Sequence, residues 1–136
     1  MAIALNGVDG NPFTTRDVDA SPNNFVFSTH LLGFSGNYTT GGDTLNLTTI
    51  AGLIPSGALP IALTISDQGR AAVPSLSAAG GFYTVIQNAV PTLANYLLKI
   101  FKNTAGSIAE YANGAYGTDV TTDVVFLQLQ WRKLTN

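Results

Sequence analysis

The sequence predicts an all-β chain: a β-sandwich or jelly-roll-like domain with an extended N-terminal arm. Composition points there first. Only 10% of the 136 residues are charged, and 16 Thr, 11 Asn and 8 Ser stand beside 14 Gly and 6 Pro. Branching at Cβ suits Thr to pleated strands, while Asn, Gly and Pro punctuate them. The second observation is strict alternation near the C-terminus, where Val125, Leu127, Leu129 and Trp131 interleave with Phe126, Gln128, Gln130 and Arg132. That is the period of a strand with one buried face. Third, apolar runs recur between turn signals without a fixed-period repeat, giving seven or eight strands rather than a βαβ pattern.

The first 24 residues stand apart. Asn6–Pro12 and Asp17–Asn24 carry turn and loop chemistry with no sustained periodicity, and only Val8, Phe13 and Val18 offer apolar surface. They are read as the arm, and residues 25–136 as the domain. Phe25–Phe34 reads as a strand, turned at Ser35-Gly36-Asn37. Thr44–Ile50 follows a tight Thr40-Gly41-Gly42-Asp43 element, with Leu45 and Leu47 on one face. Ile61–Ser66 alternates and stops at Asp67-Gln68-Gly69. Ala71–Gly81 reads as loop and Phe82–Gln87 as strand.

Pro91–Lys102 fits two periods. Leu93, Tyr96, Leu97, Ile100 and Phe101 form a helical stripe, whereas Tyr96, Leu98 and Ile100 share one strand face. The β-rich surroundings favour the strand. Asn103–Gly106 then turns the chain, Ser107–Tyr111 is a short strand or connection, and Tyr111–Asp119 is loop.

Charge narrows the functional classes. A net charge of −2, with no basic cluster larger than Arg132-Lys133, gives little for neutralising phosphates. No nucleic-acid partner is expected. The absence of cysteine rules out a disulfide scaffold, a thiolate zinc site and a cysteine nucleophile. Met1–Phe13 lacks the basic and apolar regions of a signal peptide. The uncharged stretches Thr44–Ser66 and Ala71–Leu98 are too interrupted for a membrane span, so no membrane partner is expected.

Catalysis finds little purchase in the sequence. The single histidine, His30, sits in an apolar run near Ser28 and Ser35, without a Gly-x-Ser-x-Gly elbow. A core histidine bonded to a neighbour is the expected role. Asp17, Asp19, Asp119 and Asp123 could pair as acid and base or hold a loop Ca²⁺. Their polar settings favour turn and surface roles instead. No enzyme activity, cofactor or metal is expected.

Gly41-Gly42-Asp43 lacks the Lys-Ser/Thr of a phosphate loop. The two glycines are expected at positive φ, with Asp43 bonding local backbone. Two glycosylation sequons, at Asn37 and Asn46, are expected by chance in so Thr- and Asn-rich a chain. Among the aromatics, Trp131 is expected in the core. Tyr111 and Tyr116 are the expected surface pair, with Tyr38 a further candidate for stacking on a sugar.

The stretch Phe34-Ser35-Gly36-Asn37-Tyr38-Thr39-Thr40-Gly41-Gly42-Asp43-Thr44-Leu45-Asn46-Leu47 resembles small tailed-bacteriophage virion proteins, in which a Gly-x-Tyr-x-Thr-Gly-Gly-Asp-x-Leu-x-Leu element precedes a sheet domain. A segment similar to Leu97–Lys102 before a Tyr/Ala/Gly loop, and a final strand like Val124–Arg132, extend the resemblance over about Phe25–Arg132. It implies a capsid decoration (cement) protein. Such a protein, made in the host cytoplasm, sits on the virion's capsid exterior, binds the major capsid protein and forms a homo-oligomer, with a trimer favoured. No catalytic residue belongs to the motif. The alternative is a tail or fibre component that binds a host-surface glycan.

Under this resemblance, residues 1–24 would cross neighbouring capsid subunits, with Phe13, Arg16 and Phe25 as partner contacts. An extended arm of that length reaches up to about 80 Å, against a domain radius of gyration of about 14 Å. Strand addition to a neighbouring sheet would fix it. Deleting residues 2–24 is then expected to abolish capsid binding and leave the domain folded.

Overall fold

The computed structural model of the chain describes residues 3–6, 18–20, 25–48, 59–67, 76 and 79–132. Two short strands, β1 (Ile3–Asn6) and β2 (Val18–Ala20), precede the ten-residue β3 (Phe25–Phe34). Then follow β4 (Asn37–Tyr38), β5 (Asp43–Leu45), β6 (Ala62–Asp67) and β7 (Phe82–Ile86). β8 (Tyr96–Thr104), β9 (Ser107–Glu110), β10 (Gly114–Ala115), a one-turn helix α1 (Thr118–Thr121) and β11 (Val125–Arg132) complete the order. The fold is all-β and sandwich-like, as the alternation and the turn spacing predict.

Two antiparallel sheets supply the layers. In the first, β11 lies between β3 and β6, and the opposite edge of β3 is shared by β1 and β2. In the second, β8 has β7 on one edge and both β5 and β9 on the other. Each sheet is thus built on one long strand whose edge is divided between two short ones. A two-stranded ribbon, β4 with β10, lies apart from both sheets.

One core joins the layers. Val125, Leu127, Leu129 and Trp131 are buried, and cross-strand register sets Leu32, His30, Ser28 and Val26 opposite them on β3. From the second sheet come Leu45, Tyr83, Tyr96, Leu98 and Ile100. Every second residue of β8 from Tyr96 to Ile100 is buried, which resolves the double reading of Pro91–Lys102 as a turn leading into a strand. The helical stripe fails because Leu97 and Phe101, which a helix would carry to the core, face outward.

Other expectations shift in detail. The strand expected over Thr44–Ile50 is only three residues long, yet Leu45 and Leu47 are both buried as expected. The loop expected over Tyr111–Asp119 contains β10 and the start of α1, whose N–H groups at Val120 and Thr121 bond the Gly117 carbonyl. The arm expected over residues 1–24 is extended backbone in its two described stretches. Both are laid along the domain's own sheet, with Ile3 opposite Phe34 and buried in the core. The physical reason is the edge of β3, whose N–H and C=O groups need partners. Removing residues 2–24 would therefore uncover that edge and part of the core, so it is not a clean test of an arm.

Candidate functional site

The Tyr38–Leu45 stretch, with its Gly41-Gly42-Asp43 turn, folds as a corner clamped by side chains far away in sequence. Gly42 N–H donates to the Thr39 carbonyl at 3.0 Å, closing a tight turn with Gly41 and Gly42 at φ +105° and +112°. That backbone suits glycine. Gly42 is also closely packed, since a Cβ there would lie 3.1 Å from Leu97 Cβ and 3.3 Å from the Leu98 carbonyl, and those neighbours would have to give by a few tenths of an ångström. Asp43 opens β5 and accepts from the Thr39 N–H at 3.0 Å, as its expected local role requires.

A lattice of tyrosines and carboxylates holds this corner. Tyr38, on β4, donates its hydroxyl to Glu110 Oε1 at 2.7 Å and accepts from the Ile100 N–H at 3.3 Å. The same Glu110 oxygen takes the Gly41 N–H at 2.6 Å, while its second oxygen lies 3.9 Å from Lys99 Nζ. Tyr116 donates to the other oxygen of Asp43. Tyr111 donates to Asp119 and accepts from the Gly117 N–H at 2.9 Å, and Lys102 pairs with Asp119 at 3.1 Å. The rings pack on one another, Tyr38 meeting Tyr111 edge-on with centroids 5.7 Å apart.

Electrostatics follow from these contacts. Bonds from Tyr38 and Gly41 hold the Glu110 carboxyl below its usual range. Burial, reinforced by the carboxylate that each hydroxyl faces, pushes Tyr38 and Tyr116 above the usual tyrosine range. The Asp119 carboxylate raises Lys102. Each acid in the lattice is engaged in fixing backbone or a phenol, which suits a rigid joint.

The surface pair expected at Tyr111 and Tyr116 is corrected here. Tyr116 and Tyr38 are buried at 8% and 2% exposure, and Tyr111 is half-buried. The hydroxyls of Tyr38 and Tyr116 find carboxylates inside the fold, so these two rings do not offer faces to a sugar, whereas Tyr111 keeps part of its ring at the surface. Asp123 is likewise buried rather than solvated, and takes the Tyr83 hydroxyl at 2.8 Å. His30 and Trp131 lie in the core, where Ser28 Oγ bridges them at 3.0 Å each.

Phe25 begins β3 opposite Arg132, and Asp19 pairs with Phe27 in the register of β2. Phe13, Arg16 and Asp17 lie outside the described residues. Among the described residues no group of three acids or histidines could hold a metal, and no helix is long and apolar enough to cross a membrane.

Two features escaped sequence reasoning. Glu110, the sole glutamate, is the hub of the lattice, and its rarity beside Tyr111 was the available signal. The second is the outer face of the β5-β8-β7-β9 sheet. Strand parity puts Phe82, Ile86, Leu97, Phe101 and Ile108 there, around the Lys99–Glu110 pair. Phe82, Ile86 and Ile108 are 46%, 38% and 49% exposed, and Phe82 stacks on Phe101 at 4.8 Å. Gly42 of the motif abuts this face through Leu97 and Lys99.

Compared with protein-family models, with curated proteins and with solved structures, the chain matches none.

Proposed function

We propose that this protein is a tailed-phage capsid decoration (cement) protein that binds the outside of the head shell, contacts the major capsid protein and bridges neighbouring subunits. The observation that carries this reading is the apolar outer face of the second sheet, contiguous with the locked Gly41-Gly42-Asp43 corner. A solvated sheet normally turns polar side chains outward, and clustered exposed Phe and Ile mark a protein contact. A contact made by apolar side chains around one internally paired Lys and Glu depends little on salt. The clamped corner suits a part that must hold its shape on a lattice. If three copies cluster, their weak attachments act together and lengthen residence on the shell. On this reading the protein has no catalytic role.

Quantitative mass spectrometry of purified particles tests the proposal. Abundance in proportion to the main shell protein is the expected result. A handful of copies per particle would move the protein to the tail, and absence from particles would overturn a virion role. The face is tested separately with Phe82→Lys/Ile108→Lys, which should fold normally yet fail to bind undecorated heads. Undiminished binding by that variant would remove this face from the contact.

A further inference from the structure

On the opposite side of the sandwich, the outer face of the first sheet carries a cleft of about 200 Å³. Register places two cross-strand rows along it. Phe27, Gln130 and Ala62 form one, and Thr29, Gln128 and Thr64 the other. Ser28 and Leu129 turn their side chains into the core, so backbone forms the floor between the rows. Strand spacing and rise give the six side chains a field of about 10 by 7 Å. Phe27 is 42% exposed at one border, and the small side chain of Ala62 leaves the hollow at the other.

We infer that this cleft is a binding site for one unit of a neutral saccharide. Its described lining residues carry two primary amides, two hydroxyls and an exposed aromatic ring, with no charged side chain among them. Each amide and each hydroxyl both donates and accepts, as vicinal sugar hydroxyls do. The C–H face of a pyranose supplies the apolar surface that Phe27 is shaped to cover. A peptide strand could not add at β11, because β3 and β6 already occupy both of its edges. A volume of about 200 Å³ is below the usual range for drug-sized ligands, which fits one ring of a longer chain lying across the sheet. The inference is independent of the capsid proposal, since it concerns the other sheet and a different ligand.

The test titrates the isotope-labelled full chain with cellopentaose, maltopentaose and N-acetylchitotetraose, following backbone amide shifts. At least one saccharide should produce saturable shifts confined to residues 27–29, 62–64 and 128–130. Phe27→Ala should weaken that binding roughly tenfold and Gln130→Ala roughly fivefold, whereas Phe27→Tyr, which keeps the ring, should retain it. Ala62→Leu fills the hollow from outside and should abolish the shifts. Thr84→Ala, on the far sheet, should bind as the parent does, and the unshifted remainder of each spectrum reports an intact fold. Absence of saturable shifts with all three sugars overturns the inference. So does binding that survives Ala62→Leu, or concentration-dependent broadening of these amides without sugar, which would assign the face to a second copy.

Discussion

The hydroxyl of Tyr38 lies 2.7 Å from Oε1 of Glu110, joining β4 to the end of β9 across 72 positions of sequence. Because the same oxygen receives the Gly41 N–H, one carboxylate fixes both the ring that fills the corner and the turn that follows it. Tyr38→Phe would leave the Ile100 N–H without that acceptor and remove one of Glu110's donors. A loss of about 1–3 kcal/mol in urea unfolding is expected, with the denaturant slope unchanged.

Acid should weaken the fold through Glu110. Its carboxyl titrates below the ordinary value of 4.5, so the folded state binds its proton less readily than the unfolded chain does. The stabilisation is complete above about pH 4.5 and is lost as pH falls through the lower, folded value. Tyr38 and Tyr116 act oppositely: both are raised above 10.0, so their stabilisation is complete below pH 10 and is lost as pH rises beyond it. Unfolding free energy measured against pH should therefore fall at both extremes. Glu110→Gln should flatten the acid limb and, by removing the carboxylate that Tyr38 faces, soften the Tyr38 part of the alkaline limb as well.

The two motif glycines should differ in their tolerance of a methyl group. Gly41 and Gly42 share positive φ, but nothing lies within 4 Å of a Cβ at Gly41, whereas Leu97 and the Leu98 carbonyl crowd Gly42. Gly41→Ala should cost about 1–2 kcal/mol from backbone alone, and Gly42→Ala measurably more. Thermal unfolding of the two variants side by side separates conformational strain from contact.

The β8–β9 hairpin turns on Ala105 and Gly106, both at positive φ, +51° and +85°. Two-residue turns of this kind favour Asn-Gly, and Ala bears a cost at the first position. Ala105→Asn should stabilise the protein by about 0.5–1 kcal/mol, read as a raised melting temperature.

Ser28→Ala should be damaging despite its small change in volume. Trp131 Nε1 donates to Ser28 Oγ, and His30 Nε2 lies 3.0 Å from the same oxygen, all three groups being buried. Losing that shared partner should cost about 2–3 kcal/mol, accompanied by a change in Trp131 fluorescence.

Much of the architecture could be read from local order. Period-two alternation at Val125–Trp131, the turn residues around Gly36 and Gly41, and the positive φ of Gly41 and Gly42 depend on near neighbours, so the sequence carries them directly. The same holds for Asp43, whose bond to the Thr39 N–H spans four residues. Only packing could choose between strand and helix at Tyr96–Phe101, because both periods place Tyr96 and Ile100 inside. The second sheet chose, by offering β7 and β9 as hydrogen-bonding neighbours to β8.

The polar lattice and the outer faces of the two sheets belong to the tertiary structure. Tyr116 meets Asp43 across 73 residues, and Tyr38 meets Glu110 across 72. Nothing in the local composition of a Gly/Asn/Tyr loop distinguishes a ring buried on a distant carboxylate from one open to water. Strand docking decides it, and sets Gln130 between Phe27 and Ala62 for the same reason. The sequence by itself determined an all-β chain with a stiff glycine turn. The pairing of the sheets decided which side chains became core, clamp and surface, since burial depends on partners that are remote along the chain.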